Sequence, residues 1–88
     1  MGGDKVWEYK DQSVINFPLG ITVDNSSNVY IASHGNHRIV VLSSDGQRCR
    51  TLLTEKDGIY FPYALYFDKR KNHLLVANYK GPAMLFNM

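Results

Sequence analysis

The chain carries one segment twice, at positions 17 and 61, which are 44 residues apart. Residues 17–24 read FPLGITVD and residues 61–68 read FPYALYFD. Two units of this length account for all 88 residues. A unit with only a few short strands leaves its apolar faces uncovered, so repeats of this length stack against one another. The period therefore predicts a single domain, 1–88, built as a stacked or radial array of sheets from a first repeat at about 1–44 and a second at about 45–88.

Short apolar runs separated by Asn, Asp, Ser and Gly predict strands joined by tight turns. In the first unit the pattern predicts strands a to d at 19–23, 29–33, 38–42 and 50–54. In the second unit it predicts strands a to c at 64–67, 74–78 and 83–86. No segment shows sustained helical periodicity, so the expected fold is all-β, with successive strands as antiparallel neighbours.

The two ends of the chain are complementary in this pattern. The second unit stops after strand c, whereas residues 6–9 lie 44 positions before residues 50–53 of strand d. The strand order is therefore d-a-b-c-d-a-b-c, and unpaired sheet edges invite pairing. We expect the N-terminal strand of one chain to complete the last sheet of another, so that three chains of two four-stranded blades close into a six-bladed β-propeller, a homotrimer. The residues assigned to this strand exchange are Val6, Trp7, Tyr9, Met84 and Phe86.

Composition excludes several classes of protein. The net charge of +2 is too small for nucleic-acid binding by the overall field. Cys49 is the only cysteine, which excludes an internal disulfide and predicts a reducing, cytoplasmic compartment. No apolar run approaches the ~20 residues that span a bilayer, and the first residues lack the apolar core of a signal peptide. We expect no membrane partner, metal or cofactor.

The most distinctive residues lie in and between the first unit's strands. Residues 18–24 read PLGITVD, 28–32 read NVYIA and 35–39 read GNHRI, and the second unit has GPA at 81–83 in place of NHR. This pattern resembles the NHL repeat, and the ending resembles the last blade of invertebrate tripartite-motif (TRIM-NHL) proteins. The resemblance implies a six-bladed propeller that recognises proteins or, in several members, single-stranded RNA. The repeat signature comprises Gly20, Asp24, Asn36, His37 and Asp68.

Aromatic and cationic residues fall in the predicted b–c and d–a connections, which emerge at one end of a propeller. Such residues suit base stacking and phosphate contacts, and they equally suit a protein hot spot or packing between blades. The candidate partner-binding residues are His34, Arg38, Tyr60, Tyr63, Tyr79 and Lys80.

Other signature residues have a structural interpretation beside a functional one. We expect Asn36 and His37 to hydrogen-bond the turn and lock adjacent blades, with ligand contact as the alternative. Asp24 and Asp68 recur once per unit, which favours backbone capping of a turn over a metal or acid–base site. No catalytic residue is therefore assigned. We expect a noncatalytic binding or scaffold module that recognises a protein after self-assembly. The alternative is single-stranded RNA binding. A metal-dependent, lactonase-like hydrolase is a remote third hypothesis.

Overall fold

The chain forms two antiparallel sheets in a computed structural model that describes residues 15–79 and 81–88. The first sheet is four-stranded, in the order β1-β2-β3-β4, and comprises Pro18–Val23, Val29–Ser33, Arg38–Leu42 and Cys49–Leu53. The second is three-stranded, in the order β5-β6-β7, and comprises Pro62–Asp68, His73–Asn78 and Met84–Asn87. The predicted all-β fold, with its strands as antiparallel neighbours, is confirmed.

Two short 3-10 helices connect strands in the part of the chain that the structure describes. His34–Asn36 lies between β2 and β3, and Glu55–Asp57 lies between β4 and β5. Over the described ranges, no helix has the length and apolar character needed to cross a membrane. Residues 6–9 lie outside the described residues, so the expected strand exchange stays a prediction. Lys80, one of the predicted partner-binding residues, also lies outside them.

The sequence repeat is also a repeat of strand register. Thr22 pairs with Tyr30 in the first sheet, and Tyr66 pairs with Leu75 at the same place in the second. The register shifts between Pro18 and Gly20 and again between Pro62 and Ala64, which marks one bulge per sheet at the start of strand a. Paired residues of β1 and β2 therefore have identifiable counterparts in β5 and β6.

Asp24 organises the turn that ends β1. Its carboxylate accepts backbone N–H groups from Ser26 at 2.8 Å and Asn28 at 2.9 Å. It also accepts from the Asn28 side-chain amide at 3.1 Å and from the Tyr30 hydroxyl at 2.9 Å. Burial acts to raise the pKa of Asp24, but these hydrogen bonds outweigh burial and hold that pKa below its ordinary value. Asp68 likewise accepts a backbone N–H group in the equivalent turn. Both acids cap turns, which is the structural interpretation of their recurrence.

The two sheets pack face to face around one apolar core. We call the side of each sheet that carries Tyr30 in the first sheet, or its counterpart Leu75 in the second, the front face, and the opposite side the back face. The front face of the first sheet packs on the back face of the second, where β5 lies against β1 and β2. The buried core residues between the sheets are Tyr30, Ala32, Ile39, Val41, Ile59, Phe67, Leu74 and Val76.

The contact between the sheets is closest at strand a. The rings of Tyr30 and Phe67 stack at 5.6 Å, and the Phe67 N–H group donates to the Thr22 hydroxyl at 3.3 Å. A Cβ atom at Gly20 would lie 2.9 Å from the Ala64 Cα atom, a distance that real Cβ contacts do not reach. Glycine at position 20 therefore permits β1 and β5 to approach each other.

Tyr30 makes the fold sensitive to alkaline pH. Burial, followed by the hydrogen bond to Asp24 and the Asp24 charge, raises the pKa of Tyr30 from 10.0 to about 12, against the opposing charge of Arg50. A folded-state pKa above the unfolded one contributes stability below pH 10 that is lost as the pH rises towards 12. We expect the free energy of unfolding to fall across this interval by at most about 1.4 kcal/mol per pH unit from this group.

Urea unfolding at several pH values between 10 and 12 measures this loss. Tyr30→Phe removes the ionisable hydroxyl and is expected to flatten the pH dependence. Tyr63→Phe removes a hydroxyl that lies outside the Tyr30–Asp24 hydrogen bond and is the control for the loss of a tyrosine hydroxyl as such. Identical pH profiles for the wild type and Tyr30→Phe would contradict the prediction.

Candidate binding site

A strained backbone position recurs at the same end of both sheets. Phe17 and Phe61 have φ angles of 53° and 43°, in the left-handed region, and each precedes a proline. A bulky residue rarely adopts that region, and a residue before proline is normally extended. The two carbonyl groups accept N–H groups from His34 at 3.2 Å and Tyr79 at 3.1 Å. Strain that the surrounding structure holds in place is a feature of ligand-binding sites.

His37 joins the first sheet to the segment that enters the second. Its Nδ1 atom accepts the Phe61 N–H group at 2.9 Å, so the neutral ring carries its proton on Nε2. The ring stacks on Tyr60 at 5.0 Å, with planes 3° apart, and meets Phe61 edge-on at 4.3 Å. His37 itself adopts a left-handed conformation, with φ 55°. His37 therefore contacts the segment that enters the second sheet, and the expected locking of adjacent blades stays a prediction.

The turn before His37 is stabilised by Ser33, the last residue of β2, and by Asn16, which precedes β1. The Ser33 hydroxyl accepts the Asn16 N–H group at 2.7 Å and is hydrogen-bonded to the Asn36 side-chain oxygen. The Gly35 N–H group donates to the Asn16 carbonyl at 2.9 Å. A Cβ atom at Gly35 would lie 2.0 Å from the Asn16 side-chain oxygen, so a larger residue would displace Asn16. Asn36 therefore stabilises the turn that positions His34 and His37.

A shallow apolar pocket lies beside the contact between His37 and Phe61. It has a volume of about 150 Å³ and is lined by His34, Phe61 and Tyr79. The His34 ring lies 4.9 Å from the Phe61 ring, and its Nδ1 atom lies 3.3 Å from the Pro62 carbonyl oxygen. Tyr79 is half-exposed at the rim. The pocket lies at the boundary between the sheets and is open to solvent.

The predicted partner-binding residues do not form one cluster. His34 and Tyr79 meet at the apolar pocket, whereas Tyr60 is stacked on His37 and Tyr63 is exposed at the bulge of β5. Arg38 lies apart, in a polar cavity of about 400 Å³. The lining residues of that cavity are Asn36, His37, Arg38, Thr54, Glu55 and Lys56.

Phe61 was not among the predicted site residues, although it lines the pocket and its ring contacts both histidines. The repeated Phe-Pro pair is the sequence signal that points to it. The pattern did not reveal that this phenylalanine has a left-handed backbone, which determines where its ring lies.

The chemistry of the pocket is that of apolar recognition. The lining residues that the structure describes carry aromatic rings and one imidazole, and none of them is a carboxylate. Among residues 15–79 and 81–88, no group of three His, Cys, Asp or Glu side chains is placed to hold a metal ion. Comparison with protein-family models and with curated proteins finds no match to this chain. Function is therefore inferred from the geometry of the described residues.

Proposed function

We propose that the chain is a noncatalytic binding module of the NHL propeller type, which recognises a partner protein through the apolar pocket at its loop face. The observation that carries the proposal is the pocket lined by His34, Phe61 and Tyr79, built at a strained backbone position. A volume of about 150 Å³ suits one apolar side chain. Tyrosine at the rim adds amphipathic contact area at low entropic cost, as in protein hot spots.

The described lining of the pocket favours a protein over single-stranded RNA. RNA binding needs cations that follow the phosphates beside the stacking rings. The described lining of the pocket contains no Arg or Lys, and Arg38 lines a separate cavity together with Glu55 and Lys56. One face of Tyr60 is already occupied by His37. Bases stacked at the pocket would therefore find no Arg or Lys among its described lining residues.

The proposed working form is a ring of chains. The face-to-face packing of the two sheets supports a ring of blades, and the described residues supply no fourth strand beside β7. Three chains with two sheets each would form a six-bladed ring, within the roughly four to eight blades of known propellers. Pairing of residues 6–9 with β7 of a neighbouring chain is the strand exchange expected from the sequence.

Replacing Tyr79 with alanine is expected to weaken ligand binding about tenfold or more, equivalent to about 1.4 kcal/mol, because it removes one wall of the pocket. The probe is a set of short peptides selected from a random displayed library against the wild-type protein. Affinity is measured by isothermal titration for wild type and variant. Arg70→Ala, in the turn between β5 and β6 away from the pocket, is the control and is expected to bind like wild type.

The same assay separates the protein and RNA hypotheses. A labelled oligouridylate is expected to bind only weakly. Oligouridylate binding that weakens steeply with added salt and is lost in Tyr79→Ala would favour the RNA function instead. Selected peptides that bind Tyr79→Ala as tightly as wild type would refute the pocket assignment.

A further inference from the structure

Each sheet leaves apolar residues exposed on the face that does not meet the other sheet. On the front face of the second sheet, Tyr66, Leu75 and Leu85 are 63%, 39% and 62% exposed. On the back face of the first sheet, Ile21 and Val23 of β1 are 68% and 40% exposed. Clustered exposed apolar side chains of this kind mark interaction surfaces.

The strand register relates these two surfaces to the contact inside the chain. Tyr66 and Leu75 occupy in the second sheet the places that Thr22 and Tyr30 occupy in the first. In the same way, Ile21 and Val23 occupy in β1 the places of Leu65 and Phe67 in β5. The front face of the first sheet packs on the back face of the second. The two exposed surfaces are therefore the missing partners of a second contact of the same kind.

We propose that the front face of the second sheet in one copy packs on the exposed β1 surface of the next copy. The proposal rests on the self-assembly in the proposed function and assigns the surface that holds the copies together. It does not depend on the pocket or its ligand. The contact is head-to-tail, because different surfaces of the two copies meet, and a contact of this type closes into a ring when its rotation permits.

The extent of this contact follows from the contact within the chain. There, β5 lies against β1 and β2, so the next copy is expected to place its β1 against β5 and β6. Val40 and Leu42, on the same face as Ile21, are already fully buried, which confines the contact to the β1 side of that face. Gly20 lies where the two sheets of one chain meet, and Ala64 is its counterpart in the contact between copies. Because Ala64 carries a methyl group, we expect the two strands between copies to lie a few tenths of an ångström further apart than β1 and β5 within the chain.

The head-to-tail contact is tested with two single variants and their mixture. Ile21→Lys places a charge on the back-face surface, and Tyr66→Glu places one on the front-face surface. Each variant alone is expected to dissociate at least about tenfold more readily than wild type, because a charge must be desolvated in the contact. An equimolar mixture is expected to form a heterodimer, since the intact front face of Ile21→Lys meets the intact back face of Tyr66→Glu, whereas every ring of three contains a contact with a mutated surface. Lys69→Glu, in the turn after β5, is the control for a charge change.

Sedimentation velocity measures association, and thermal unfolding verifies that both variants remain folded. An associated wild type with two unaffected variants would refute the assigned surface while leaving assembly in place. Dissociation of Tyr66→Glu alone would indicate a symmetric contact between front faces and refute the head-to-tail arrangement. Failure of the mixture to associate would also refute it, and a monomeric wild type would refute both assembly and this surface. None of these results would decide peptide binding at the pocket, which the Tyr79→Ala assay measures.

Discussion

Replacing Leu74 with alanine is expected to lower the free energy of unfolding by about 2–5 kcal/mol. Leu74 is fully buried in the cluster between the two sheets, so its removal leaves a cavity at their contact. A domain of this size has a total stability of roughly 5–15 kcal/mol, so the loss is a large part of that total and is expected to lower the urea midpoint of unfolding clearly. Urea unfolding followed by circular dichroism measures the change.

The neighbouring residue provides a matched control. Leu75 is the same residue type, but it lies on the opposite face of β6 and is partly exposed. Both leucine variants are compared in the Tyr66→Glu background, because self-association would otherwise contribute to stability. Leu75→Ala is expected to cost less than about 1 kcal/mol there. Equal losses for the two variants would contradict the assignment of the faces of the second sheet.

Replacing His37 with alanine is expected to lower stability by about 2–3 kcal/mol, and to do so before it alters ligand binding. The variant leaves the Phe61 N–H group without its Nδ1 acceptor and removes the ring that stacks on Tyr60. Alanine is also strained at the left-handed backbone of this position. The melting temperature measures the stability loss, and peptide titration well below it measures binding.

His34→Ala is the informative comparison, because His34 lines the pocket and its only described side-chain hydrogen bond is a longer contact of 3.3 Å. We expect this variant to lose peptide binding with a smaller change in melting temperature. An unchanged melting temperature with lost binding in His37→Ala would reverse the roles of the two histidines.

Much of the fold could be predicted from the sequence because the strands are marked by local patterns. Val29–Ser33 and Arg38–Leu42 were predicted with the bounds that the structure has, since apolar runs there end at polar turn residues. β5 begins at Pro62 rather than at the predicted position 64. The bulge between Pro62 and Ala64 depends on pairing with β6, which no local pattern reports.

The site was less predictable because tertiary contacts determine it. The sequence indicated that the connections before strands a and c carry the aromatic and cationic residues. It did not separate His34, which lines the pocket, from Arg38, which lies in a cavity with Glu55. That separation follows from the short helix His34–Asn36, whose path is held by Asn16 and Ser33 from outside the helix.

The central claim is that two repeats in one chain form part of a ring completed by other copies of the same chain. Sedimentation equilibrium at micromolar concentration measures the mass of the assembly directly. For a chain of 10.0 kDa, we predict a single species with the mass of three chains. A stable species with the mass of one chain across the same concentrations would contradict the claim.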